Sequence, residues 1–244
     1  MKHRTRRLVL AACLLACAAR EAAAQAAEQG ESWRFAFTPY AWISGIRGTI
    51  GVGSSTGEVD VAFNEGGEDF EFGFAGLIEA RRRRWVARTD FFYVSFSSEQ
   101  ATSAGTPVTT GQDDVMLHPE IGYTLLARPW GGVDGLVGAR YLNTGVDLSG
   151  PSTEASVDRG WIDGTVGANV RYQPGSRWRL VAKADVGAGG SDFVWQLYGG
   201  GGYDLGRCCA IVGAWRLLDL DYDKDNLLYD VRLSGPTFGV TLRF

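Results

Sequence analysis

The chain has 244 residues, 28 Asp and Glu against 24 Lys and Arg, and an ordinary 45% hydrophobic content. Its length fits one large β domain or two small ones. That acidic balance argues against a nucleic-acid partner, whose binding needs a cationic footprint.

The N-terminus reads as an export signal. "MKHRTRR" is a basic start, "LVLAACLLACAA" is an apolar run of about twelve residues, and "AAA" at 22–24 offers a cleavage site. The run is shorter than the roughly 20 residues that a spanning helix needs. Residues 1–24 are therefore expected to be a signal peptide, 25–32 a short periplasmic segment, and 33–244 the folded part. "LLAC" at 14–17 resembles a lipobox, which would leave Cys17 lipidated; the ordinary cleavage site a few residues on competes with it. Arg6-Arg7 lacks the rest of a twin-arginine motif. Removing 1–24 leaves 19 basic and 27 acidic side chains, a net charge of −8. Cys13 and Cys17 leave with the signal, and the adjacent Cys208-Cys209 neither staples distant segments nor supplies zinc-type spacing.

From Trp33 onward the sequence alternates apolar and polar with period two, in segments of ten to fifteen residues separated by turn residues. Ten strands are predicted near 33–46, 70–81, 85–97, 113–127, 132–147, 157–172, 177–188, 192–203, 208–222 and 228–244. The connections alternate as well. Short ones fall at "RRR", "RPWGG", "QPGS" and "DLGR"; longer ones at 47–69, 98–112, 148–156 and 223–227. The link near Gly189–Ser191 is short where this rule wants it long. Short turns at one end and long loops at the other mark a closed antiparallel transmembrane β-barrel. Pairing "GTIGVG" with "EVDVAF" would raise the count to twelve.

A secreted sandwich or lipocalin-like barrel alternates too. The aromatics favour the membrane. Trp33, Trp85, Trp130, Trp178, Tyr203 and Phe244 fall at the short-turn end, and Phe91, Tyr93, Tyr141, Phe193 and Trp195 toward the long-loop end. Two such belts suit the two membrane interfaces. The chain also stops on "GPTFGVTLRF", whose apolar row runs to the last residue, as a strand closing a barrel against the first would.

On this alternation Glu79, Asp90, Glu120, Asp163 and Asp185 point inward with Arg81, Arg88, Arg140, Arg171, Lys183 and Arg216. They make either a plugging charge lattice or the lining of a narrow channel. Ten strands lie nearer the filled end of the barrel range, so the lattice is favoured. The outer "DLDYDKDN" places Asp219, Asp221, Asp223 and Asp230 at calcium-loop positions, but Lys224 stands where the turn needs Gly. It reads as a solvated hairpin tip with no metal. His118, the one histidine after the signal, lies near the outer end of its strand beside Asp113, Asp114 and Glu120. Barrel enzymes of the omptin type place His and Asp at the extracellular rim, yet no nucleophile motif stands out here and Pro119 follows directly. The "RRRR" at 81–84 reads as a solvated or phosphate-facing turn.

The stretches "TPYAWISGIRGTIGVG", "FGFAGLIEARRRRW", "GSDFVWQ", "LDLDYD" and "YDVRLSGPTFGVTLRF" resemble a family of uncharacterised outer-membrane β-barrel proteins of Gram-negative bacteria. "GRCCAIVGAW" departs from it at Cys208-Cys209. The resemblance implies the bacterial outer membrane, lipid and lipopolysaccharide as surroundings, and Phe244 as the residue read by the barrel-assembly machinery. It supplies no activity. The expectation is a structural or surface-interaction barrel with a charge-filled lumen, no catalytic residues and no cofactor. A narrow channel is the alternative and a rim hydrolase the second.

Overall fold

A computed structural model describes residues 32–52, 55–61, 70–101, 107–150 and 153–244. The signal peptide, the lipobox and most of the 25–32 segment lie outside the described residues. Twelve strands follow in order: β1 Arg34–Trp42, β2 Gly45–Val52, β3 Ser55–Val61, β4 Phe70–Arg82, β5 Trp85–Ala101, β6 Pro107–Arg128, β7 Gly131–Gly150, β8 Thr153–Tyr172, β9 Trp178–Gly189, β10 Phe193–Asp204, β11 Cys209–Lys224 and β12 Leu227–Arg243. All neighbours are antiparallel, and β12 pairs back onto β1 with Ala36 opposite Arg243.

The wall has ten staves, not twelve. β12 pairs with β1 along Thr237–Arg243 and with β2 along Leu227–Ser234. β1 and β2 are thus one stave interrupted at Ile43–Ser44, and β2 forms a hairpin with β3 at its outer end. The interruption passes very close to β12, where a Cβ on Gly235 would lie 1.9 Å from the Ile43 carbonyl oxygen. Only glycine fits there. Closure leaves the membrane section without an edge.

Most of the connections expected to be long loops are strand. β5 reaches Ala101 and β6 begins at Pro107; β7 reaches Gly150 and β8 begins at Thr153. The expected loop at 223–227 is a two-residue turn, with Asp225 and Asn226 at φ 52° and 64°. Those left-handed angles match the right-handed twist of a hairpin, and Asp and Asn tolerate them. The 47–69 connection contains the β2–β3 hairpin. The pairing continues beyond the length a bilayer needs. At 22 residues, β6 runs roughly 70 Å along its axis, or about 55 Å of height at a 40° tilt. A bilayer core is about 30 Å thick. The rim is uneven, because β9 and β10 have only 12 residues each.

Candidate functional site: the filled lumen and its dry cap

Two stacked layers fill the barrel. The lower layer is charged. Asp134, fully buried on β7, accepts five hydrogen bonds: from Thr124 Oγ1 at 2.7 Å, Arg171 Nη2 at 2.9 Å and Nε at 3.0 Å, Arg81 Nη2 at 2.8 Å and Asn169 Nδ2 at 3.2 Å. Arg81 also donates through Nε to Glu79 at 2.7 Å, and Arg88 approaches Glu79 at 3.8 Å. Nearer the lower mouth, Asp204 receives Arg179 Nε and Arg243 Nη2, both at 2.8 Å.

Midway up, Asp185 takes Arg140 Nη2, Lys183 Nζ at 3.0 Å and Gln196 Nε2 at 3.2 Å. Lys183 also reaches Glu120 at 2.9 Å. Arg216 then joins opposite walls. Its Nε and Nη2 donate to Gln196 Oε1 at 3.1 and 2.7 Å, and its Nη1 donates to the Tyr40 hydroxyl at 2.8 Å and lies 3.1 Å from Asp90. The Tyr40 hydroxyl in turn donates to Asp90 at 2.6 Å. Buried charges survive only when paired this closely.

Of the eleven charged residues picked from alternation, ten join these contacts. Asp163 does not. It makes no ion pair among the described residues; its Oδ1 accepts the Ser191 backbone N–H at 2.8 Å and so anchors the short β9–β10 link. Alternation alone overlooked Asp134 and Asp204. Asp134 shares the parity of Arg140 on β7, so the signal was present. The neutral partners Tyr40, Gln196 and Thr165 also lie outside that set, whereas Asn169 falls on the polar face of β8 with Asp163 and Arg171 by alternation.

His118 lies mid-barrel, not near the outer rim. It is fully buried, with Nε2 2.9 Å from Thr165 Oγ1 and Nδ1 3.3 Å from Arg140 Nη2. With Glu120 and Asp185 it brings metal-type donor atoms within 4.8 Å of one another. Those carboxylates already hold the ammonium of Lys183, so the donor set suits a protein cation better than a metal. Asp219, Asp221 and Asp223 do not converge either. They sit on alternate positions of an extended strand, about 7 Å apart, and Asp219 is paired with Arg232 Nε at 2.6 Å.

Above Arg216 the interior turns apolar. Trp42, Phe92, Met116, Leu142, Trp161, Val194, Leu218, Leu220, Tyr222, Leu227, Tyr229, Val231 and Leu233 pack together. Arg216 marks the boundary, its guanidinium 4.6 Å from the Trp42 ring centre. Trp161 stacks on Tyr222 at 4.4 Å, bridging from β8 to β11 above the short β9–β10 pair. A pocket of about 240 Å³, partly open to solvent, lies here beside Phe92, Leu142, Trp161 and Tyr229, and the polar Asp114 and Thr144 also line it.

The exterior reverses at the same height. Below it, Leu197, Val166, Val137, Ile121 and Phe238 are 49–57% exposed. Belt aromatics bound this zone. At the lower end Trp85 meets Tyr123 at 5.3 Å, Trp130 meets Tyr172 at 5.9 Å, and Trp178 meets Tyr203 at 5.2 Å, while Trp33 and Phe244 stand exposed beside them. At the upper end Tyr93, Tyr141 and Phe193 are exposed, with Phe91 and Trp195 half-buried in the same outward rows. From Trp85 to Tyr93 is about 26 Å of strand, or about 20 Å of height. Such a band needs hydrocarbon around it. At and above the upper belt the outward rows read Asp219, Asp221 and Asp223 on β11, with Asp219 opposite Trp195 and Asp221 opposite Phe193, and Arg232 and Asp230 on β12.

The fold is that of a bacterial outer-membrane β-barrel. The outer-membrane protease OmpT of Escherichia coli superposes with a TM-score of 0.55 at 12% identity, over 88% of this chain and 97% of that one. The translocator domain of the autotransporter NalP of Neisseria meningitidis gives 0.48 at 15%, over 97% and 98%. The attachment invasion locus protein Ail of Yersinia pestis gives 0.34 at 13%, over 88% and 99%. At these identities OmpT speaks for the fold alone. No protein-family model matches the sequence, and no curated protein matches it.

Proposed function

We propose that this chain is an outer-membrane barrel closed to solutes, whose working surface is the strand-built extension above the membrane. The observation that carries this reading is the filling of the lumen. Arg140, His118, Asp134 and Asp163 are fully buried at the charged level, and an apolar layer lies over them. A channel needs a continuous wet path, and a dry constriction resists ions as much as a steric one. The extension instead presents polar side chains such as Asp221, Asp223, Asp230 and Arg232, a surface of the kind that contacts partners outside the cell. Outer-membrane lipid and lipopolysaccharide surround the wall in this reading, and no nucleic acid is involved.

Phe244 fits the same assignment. Its backbone N–H donates to the Phe35 carbonyl at 2.9 Å, so the terminal aromatic sits at the closing seam, where the assembly machinery would read it.

The test is conductance of the purified protein in planar bilayers. A closed barrel gives no stable unitary steps. Reproducible steps would establish the narrow-channel alternative in its place. A heat-modifiable gel shift, with fractionation of native membranes, checks the location.

A further inference from the structure

The lower rim carries a charge pattern that the closed lumen does not use. Its turns expose Arg83 and Arg84 between β4 and β5, Arg128 after β6, Arg177 before β9 and Arg207 before β11; Arg34 and Arg82 add to them from the ends of β1 and β4. No exposed Asp or Glu accompanies them among the described residues, since Asp204 is buried between Arg179 and Arg243. The opposite rim is acidic, with Asp192, Asp221, Asp223, Asp225 and Asp230 exposed. In a chain of net negative charge, this concentration of cations at one end is a local feature.

The arginines are also aimed. The guanidinium of Arg82 lies 6.0 Å from the Trp33 ring centre, that of Arg84 5.9 Å from Tyr123, and that of Arg177 6.0 Å from Tyr203. Arg177 Nη1 also donates to the Tyr203 hydroxyl at 3.0 Å. These rings belong to the lower belt and face away from the lumen. Cation–π contact therefore holds the charges on the outer flank of the wall, at headgroup depth. Neighbouring turns are two strands apart, roughly 10 Å.

From this geometry we infer a collar that binds the phosphates of anionic phospholipids in the periplasmic leaflet. The inference rests on the membrane-barrel reading and adds a lipid class to it. Guanidinium groups suit phosphate because their N–H donors are directional and permanently charged. A soluble partner or the cell wall would instead meet arginines turned down the barrel axis.

The mature protein is folded in detergent and offered an equimolar mixture of phosphatidylglycerol and phosphatidylcholine. Retained lipid is then quantified by native mass spectrometry. Phosphatidylglycerol should be retained preferentially, and the preference should shrink in high salt. Each arginine removed in the series Arg82→Gln, Arg84→Gln and Arg177→Gln should weaken it about fivefold. Arg47→Gln at the acidic rim should leave it unchanged. Equal retention of the two lipids by a protein that still shows the folded gel shift overturns the collar. So does a triple variant that retains lipid like the parent, or one that loses only co-sedimentation with purified peptidoglycan. Loss of the gel shift in the parent protein would overturn the barrel reading instead.

Discussion

The membrane section of this barrel and the extension above it are built from the same strands with opposite polarity. On β11, Ile211, Trp215 and Leu217 face out while Arg216 faces in; four residues on, Asp219, Asp221 and Asp223 face out while Leu218, Leu220 and Tyr222 face in. β12 does the same, with Phe238 outside and Thr237 inside below, then Arg232 and Asp230 outside and Val231 and Tyr229 inside above. The surroundings decide the sign. Where lipid covers the exterior, its apolar row is satisfied there and the lumen takes the polar residues. Where water covers the exterior, the only place to bury apolar area is the inside.

The largest expected effect separates the two interiors by chemistry. Arg140→Leu leaves Asp185 short of a cation in the charged layer and should cost about 3–5 kcal/mol, measured by urea titration of the folded, heat-modifiable form. Adding Asp185→Leu should recover much of that loss. If the double variant is no better than the single one, the charged layer is not held by pairing. A second comparison separates lipid-facing from water-excluding rows. Leu218→Ala in the dry cap should cost about 2–5 kcal/mol, because it opens a cavity. Leu197→Ala on the outer wall should cost well under half of that, since lipid fills the space. Equal losses at both positions would mean that the upper interior is not a packed core.

The smallest effect lies on the upper rim. Asp221 stands opposite Asp230 in the β11–β12 ladder. Lost hydration, then the carboxylates of Asp230, Asp192, Asp219 and Asp223, raise its carboxyl above the usual range. A carboxyl raised on folding binds its proton more tightly when folded, so stability grows as pH falls through that raised value. It levels off below the unfolded one. Asp221→Asn should raise stability slightly at neutral pH and flatten this gain, a contrast read from the same titration at two pH values.

Much of the architecture is legible in the sequence, because period two fixes which residues share a face. The strand positions, the ten-stave wall and the pairing of the last stave with the first all follow from it. The polarity reversal does not follow from period two, which distinguishes two faces without saying what lies against either. A signal existed nonetheless. Adjacent apolar pairs break the alternation at the reversal in several strands: Phe91-Phe92, Met116-Leu117, Tyr141-Leu142, Trp161-Ile162 and Leu217-Leu218. Each is one lipid-facing residue beside one cap residue. Loop length misleads as well. Gly and Ser suggest irregular connections at 98–112 and 148–156, but β5 and β7 run on to Ala101 and Gly150, and β6 and β8 begin at Pro107 and Thr153. His118 was misplaced because the strand continues well above it, so sequence distance from the expected loop underestimated its depth.

The reversal also bears on how the hairpins find their register. In a barrel of uniform polarity, a slip of one residue turns one charged row toward hydrocarbon. Here the same slip would also push the cap's aromatic and aliphatic row into water at the other end of the strand. Misaligned pairings are penalised twice, at heights some tens of ångströms apart, so each hairpin carries its own proofreading along its length.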